Sequence, residues 1–172
     1  MAKTVRDYIN EKISEIEEIC KELEYPTEVL DMDEYKIPTV LIYIDKNSAD
    51  EDIIVTCNIV PMQIEGYTTL FIQFYMCIST TVPSYKKQEI YKFIEGQNDR
   101  LMIGNLLEFE DAVCVKYTLY LGSKDKIDLD FFAKALDIFI YQANIMSRKI
   151  DDILNDRVTV DKVLEQGTFY YE

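Results

Sequence analysis

Residues 67–78, YTTLFIQFYMCI, decide the fold class. One alternating set of this run contains Leu70, Ile72, Phe74, Met76 and Ile78, the other Phe71, Tyr75 and Cys77, so both sides are largely apolar or aromatic. A strand wet on neither side is expected at the centre of a sheet or covered by helices on both sides. Upstream, Thr39–Ile44 and Asp52–Val60 are β-branched runs of period two. The polar stretch 45–51 between them suits a hairpin connection, and Pro61 is expected to end the second run. Three consecutive strands with short links predict an antiparallel meander.

Helical spacing flanks this block. Val5, Tyr8, Ile9, Ile13, Ile16, Cys20 and Leu23 recur at steps of three and four, with glutamates between them and a Thr4–Asp7 capping box in front. Tyr25-Pro26 closes that helix, and Leu30–Lys36 reads as a loop or short irregular strand. Beyond the long strand, Ser84 is expected to cap a second helix carrying Ile90, Phe93, Ile94 and Leu101, which Gly104 stops. Leu106–Phe109 and Val113–Leu121 form a hairpin around Glu110-Asp111. Asp128 caps a long helix with one stripe through Phe132, Leu136, Phe139, Ile140, Ala143, Ile150 and Leu154. A second set on that helix, Phe131, Ala135, Ile138 and Ile145, predicts burial on two sides, by the domain or by a partner. Thr159 starts a short last helix ending at Gly167, before the aromatic tail Phe169-Tyr170-Tyr171. The expectation is one α+β domain over residues 1–172: an antiparallel sheet of about five strands with helices packed on it, order α-β-β-β-α-β-β-α(-α).

Composition narrows the function. The chain has 172 residues, 48% hydrophobic, which is enough for one core and too little for two ordinary domains. Thirty-two acids against eighteen bases give a net charge of −14, and that field repels nucleic acid and anionic lipid. The longest apolar stretch, Leu70–Ile78, is far shorter than the roughly 20 residues of a membrane span. The N-terminal residues turn polar and acidic at once and offer no signal-peptide core, so a soluble, unprocessed, cytoplasmic protein is expected.

Chemistry is scarce. There is no histidine, so neither a Ser-His-Asp nor a Cys-His nucleophile can be assembled. Cys20, Cys57, Cys77 and Cys114 lie 37, 20 and 37 positions apart, without a CxxC pair, which excludes a zinc ribbon or a thioredoxin-type motif. Three of them stand in apolar runs and read as buried thiols, a disulfide or reactive thiol being the alternative. The clusters Asp31–Glu34, Asp50–Asp52 and Asp151–Asp156 have neither the glycine nor the spacing of an EF-hand loop and read as solvated faces. The five glycines are isolated, so no phosphate-binding loop exists. No catalytic, cofactor-binding or metal-binding residue is therefore assigned, and an enzyme is not expected. Thirteen tyrosines are the oddest feature; on strands they serve either as interface residues or as ordinary half-buried ones.

The stretch from Ile94 to Leu121 resembles the YbjN family of bacterial proteins. Asn98 and Leu101 end a helix, Ile103-Gly104 make a turn, Leu107 and Phe109 precede the acidic turn Glu110-Asp111, and the strand Val113–Leu121 follows, with a helix after Asp128. The family commonly places an aromatic soon after the glycine; here Asn105-Leu106-Leu107 stands instead. The element order is similar to the type III secretion chaperone fold. This resemblance implies a non-enzymatic, typically homodimeric protein that holds an extended partner polypeptide, with Asn98 and Gly104 as structural positions. Exposed strand edges and apolar stripes suit such capture on physical grounds. The expected partner-binding residues are Ile90, Phe93 and Ile94 on the second helix with Tyr75 and Tyr117 on strands. A small-molecule sensor is the first alternative, and a carboxylate-based hydrolase the second.

Overall fold

Thr4 opens the first helix as its sequence promises. Its hydroxyl accepts from Asp7 N–H at 3.2 Å while the Asp7 carboxylate accepts from Thr4 N–H at 2.7 Å, a reciprocal capping box. This is a computed structural model, and it describes residues 4–30, 37–46, 52–64, 67–79, 81–101, 103–122 and 126–166. Among these, the elements are α1 (Val5–Glu22), β1 (Thr27–Leu30), β2 (Thr39–Lys46), β3 (Asp52–Ile64), β4 (Tyr67–Ser79), α2 (Lys87–Asn98), β5 (Asn105–Phe109), β6 (Ala112–Gly122), α3 (Leu129–Leu154) and α4 (Val160–Glu165). The class is α+β, with a six-stranded antiparallel sheet in the order β1-β2-β3-β4-β6-β5.

Several boundaries differ from the sequence reading, each for a local reason. The sheet has six strands because Thr27–Leu30 pairs with β2, Thr27 opposite Ile42 and Leu30 opposite Thr39. Of Leu30–Lys36, expected as a loop or short irregular strand, all but Leu30 lies outside the described residues, as do 47–51, Gly66, Gly167 and the aromatic tail. Pro61 does not end β3. Ile59 N–H donates to Pro38 O, and Pro61, two residues on, turns its donorless nitrogen to the same side. The β2 register has already finished there at Asn58, so no ladder bond is lost. Ser84 begins a 3-10 turn, Ser84–Lys86, with Pro83 at its cap, and α2 starts only at Lys87.

Gly104 does not stop α2 either, since the helix ends at Asn98. It sits at φ +64°, and a Cβ there would stand 2.2 Å from Lys116 O, so only glycine lets the chain approach β6 so closely. Asn98 ties the helix end to β5: Leu106 N–H donates to Asn98 Oδ1 at 2.7 Å, and Asn98 Nδ2 donates to Leu106 O at 3.0 Å. The β5–β6 hairpin turns at Glu110 and Asp111, both at positive φ (50° and 68°), as a two-residue type I′ turn requires.

The chain forms two compact units, residues 1–75 with 118–137 and residues 76–117 with 138–172, so β4, β6 and α3 contribute to both. In the first unit α1 packs on β1, β2 and β3, burying Ile9, Ile13, Ile16 and Cys20. On the strands Val40, Ile42, Val55, Cys57, Ile59, Leu70, Ile72 and Phe74 are buried. The Phe74 and Phe132 rings meet edge to face at 5.4 Å, joining α3 to the same side. Lys12 is also inside, 1% exposed, with Nζ 2.8 and 2.9 Å from the Glu15 carboxylate. Glu15 Oε2 additionally accepts from Ile127 N–H at 2.8 Å, which pins the approach to α3 onto α1.

In the second unit Phe93, Leu106, Val113, Val115, Phe139, Ile150 and Val163 are buried among α2, β5, β6, α3 and α4. Buried Lys86 reaches Asp156 and Glu89, and these hydrogen bonds, Asp156 foremost, raise its pKa and keep it charged. Asp156 itself stands at φ 56° just past α3, where Arg157 N–H donates to Asp152 O at 2.9 Å and closes the helix. Gln142 Nε2 donates to Ile103 O at 2.8 Å. Gln97 is fully buried, and among the described residues its amide nitrogen and oxygen have no hydrogen-bond partner.

Two stability outcomes follow in urea unfolding. Glu15→Ala leaves a buried ammonium uncompensated and costs about 3–5 kcal/mol, whereas the double replacement Lys12→Met with Glu15→Met costs far less. Gln97→Met removes two orphaned polar atoms at nearly constant volume and stabilises by about 1–2 kcal/mol.

Candidate interaction surface

The second alternating set of the first unit's strands is what the helices leave uncovered. Leu41, Tyr43, Ile54, Thr56, Asn58, Val60, Phe71, Gln73 and Tyr75 are all half-buried, against full burial of their alternating neighbours. Pairing lines them up across the sheet: Leu41, Thr56 and Tyr75 stand in one row, Thr39, Asn58 and Gln73 in the next, Val60 and Phe71 in a third. The expectation that Tyr67–Ile78 is central holds, because β4 lies between β3 and β6. The expectation that it is wet on neither side holds on one face only.

Polar atoms on this face are held by one another. Thr39 Oγ1 donates to Asn58 Oδ1 at 2.8 Å, and Tyr75 OH donates to Gln73 Oε1 at 3.1 Å. Tyr43 OH donates to Glu28 Oε2 at 2.8 Å, which with the neighbouring carboxylates raises the phenol pKa. The apolar part is aromatic: Phe71 and Tyr120 pack edge to face at 5.9 Å and 69°, with Tyr120 69% exposed. Met62, 46% exposed, lies two residues beyond Val60 on the same set. At its edge stand Glu28 and Asp52, both exposed.

The five residues expected to bind a partner divide. Ile90 and Phe93 are 2% and 0% exposed, consumed by packing inside the second unit, so they are not surface residues of this chain. The helix stripe that made them conspicuous is α2's core side. Ile94 is half-buried. Tyr75 is on the half-exposed set of β4, and Tyr117 is half-buried in the β6 set of Val113, Val115 and Leu119, which faces the core. Sequence reasoning missed Phe71 and Tyr120, whose signal was alternation: each stands directly next to a core side chain, Phe71 between Leu70 and Ile72 and Tyr120 after Leu119.

On α3 the second apolar set is not buried twice by the chain itself. Ala135 is 7% exposed, but Phe131 and Ile138 are 56% and 54% exposed, and Tyr141 is 58% exposed.

Two concavities lie against α1. One of about 320 Å³ is lined by Glu15, Glu18, Ile19, Glu22 and residues 126–129, the other of about 390 Å³ by Arg6, Asn10, Ile13, Ser14, Glu17, Val29 and Leu30. Charged side chains stand in both linings beside apolar ones, Glu15, Glu18 and Glu22 with Ile19 and Ile127 in the first, Arg6 and Glu17 with Ile13 and Val29 in the second. Among the described residues no three His, Cys, Asp or Glu side chains converge as a metal site, and no helix is long and apolar enough to cross a membrane. Of the acidic clusters, Asp31–Glu34 and Asp50-Glu51 fall outside the described residues; Asp152 pairs with Arg157 and Asp156 with Lys86. Comparison with protein-family models, curated proteins and solved structures finds no match to this chain.

Core and surface separate under substitution. Phe93→Ala costs about 3–5 kcal/mol in chemical denaturation, while Tyr120→Ala, at an exposed position, changes stability by about 0.5 kcal/mol or less.

Proposed function

We propose that this chain is a non-enzymatic interaction module, a chaperone-like or regulatory adaptor that holds an extended partner polypeptide on the uncovered sheet face of its first unit. The observation that carries the reading is that face: a row-aligned, half-exposed set with Leu41, Ile54, Val60, Phe71, Tyr75 and Tyr120 as its apolar content. Side chains of an extended peptide repeat every second residue, the same period as the rows beneath them. Tyrosine and phenylalanine supply large contact area at small entropic cost. The acidic rim and the net charge of −14 favour a partner carrying Lys or Arg beside its apolar residues and disfavour nucleic acid and anionic lipid.

Cytoplasmic location and a homodimer belong to the same reading. A second copy is the fitting occupant for the exposed Ile138 and Tyr141 of α3, since large apolar residues three apart on one helix form a contact ridge. The roles of Asn98 and Gly104, at the helix end and the turn, are those that the resemblance to the YbjN family and the secretion chaperones implies for them.

Tagged protein and its double variant Phe71→Arg/Tyr120→Arg decide the matter, both first checked for equal melting temperature. A polypeptide recovered near one to one by the parent and at least tenfold less by the variant is the expected result, each lost hot-spot aromatic being worth roughly 2 kcal/mol. Equal recovery by both moves the partner off this face. Recovery of no polypeptide, with a bound species of a few hundred daltons by native mass spectrometry, replaces the adaptor with a small-molecule sensor.

A further inference from the structure

Two of the four cysteines are inert by position. Cys20 and Cys57 are 0% exposed within the first unit, where burial pushes the Cys20 thiol up to about 12 and that of Cys57 higher still. The other two are unlike them and unlike each other. Cys77 on β4 is exposed, Cys114 on the adjacent strand β6 is 4% exposed, and their sulfurs are 2.6 Å apart. Both lie within strand spans, not in loops, so the backbone ladder holds their sulfurs in place. Neighbouring strands place facing Cβ atoms roughly 4.5–5.5 Å apart, close to the window in which a disulfide closes.

We propose that Cys77 and Cys114 form a peroxide-reactive dithiol, Cys77 attacking a hydroperoxide and Cys114 resolving the product into a disulfide between β4 and β6. The division of labour follows from access and from the hydrogen bond. The sulfur–sulfur hydrogen bond lowers the Cys77 pKa to about 7 against the opposing effect of burial. The same bond, with burial, raises Cys114. The sulfur that meets solvent is thus also the one favoured as thiolate, and the sheltered one is left to resolve.

The chemistry balances. Cys77 thiolate attacks the terminal oxygen of ROOH; an S–O bond forms, the O–O bond breaks, and the alkoxide leaves and takes a proton from water as ROH. Cys77 is then a sulfenic acid, oxidised by two electrons. Cys114 sulfur, losing its proton to solvent, attacks Cys77 sulfur; the S–S bond forms, the S–O bond breaks, and hydroxide leaves as water. Two thiols and one hydroperoxide give one disulfide, ROH and water, and an external dithiol reverses the result by exchange. The bond closes a segment of the second unit containing α2 and β5, between residues 37 apart in sequence.

The test uses the full chain, reduced, freed of reductant and treated with a few equivalents of hydrogen peroxide. Two thiols per chain should disappear, the intact chain should lose two hydrogens, and a non-reducing digest should yield the Cys77 peptide joined to the Cys114 peptide. The melting temperature should rise by about 5 °C or more and return on addition of dithiothreitol. Before oxidation, a maleimide at neutral pH should label Cys77 at least about tenfold faster than Cys20 or Cys57. In Cys114→Ser, Cys77 should stop at the sulfenic acid and be trapped by dimedone. Four alkylatable thiols after peroxide, sulfinic acid at Cys77 beside a free Cys114, or a covalent dimer as the main product would each overturn the proposal.

Discussion

The structure of the first unit rests on a choice that strand alternation forces. Along β3 and β4 every second side chain, Val55, Cys57 and Ile59 with Leu70, Ile72 and Phe74, is at or near complete burial. Because the side-chain period is two, a slip of one residue in either strand would carry that whole set to the other face and bring Thr56, Asn58 and Gln73 under α1 and α3. Register, helix packing and the character of the uncovered face are thus one decision. The Phe74–Phe132 contact holds α3 to the side already chosen by α1.

Polar anchors set what apolar packing leaves loose. Apolar contact is non-directional and allows helices to slide; a buried ammonium does not. Lys12 and Glu15, with Ile127 N–H as a third member, fix where the chain enters α3 relative to α1. In the second unit Asn98 continues a strand-like pair of hydrogen bonds from helix to β5, and Lys86 binds the turn after α3 through Asp156. Each is a local directional constraint, and each would be costly to leave half made.

The same alternation separates Cys77 from Cys57. Cys57 falls in the buried set of β3, and Cys77 in the set of β4 that includes Phe71 and Tyr75. One step in sequence parity decides whether a thiol is a small hydrophobe or a nucleophile within reach of solvent. Similarly Phe93 and Phe71, alike in composition, have opposite roles because one sits on the packed side of a helix and the other on the outward side of a strand.

Element type was legible because it follows from period and caps. The Thr4–Asp7 box, the Asp128 and Thr159 caps, the acidic turn Glu110-Asp111 and the central position of β4 are local or nearly local properties, and all appear in the folded chain. What escaped was whatever depends on partners distant in sequence. Thr27–Leu30 is a strand only because β2 lies beside it, and Pro61 stays in β3 only because β2 has ended there. Periodicity marked Ile90 and Phe93 as an apolar stripe without saying what would cover it; the chain covers it itself. The uncovered strand face and the Cys77–Cys114 pair arise from long-range register, a property of the sheet and not of any one strand. The sequence by itself determined the α+β class, the absence of histidine chemistry and the acidic field. Only the tertiary structure decided which apolar residues are core and which remain outside, because burial depends on the element that packs above.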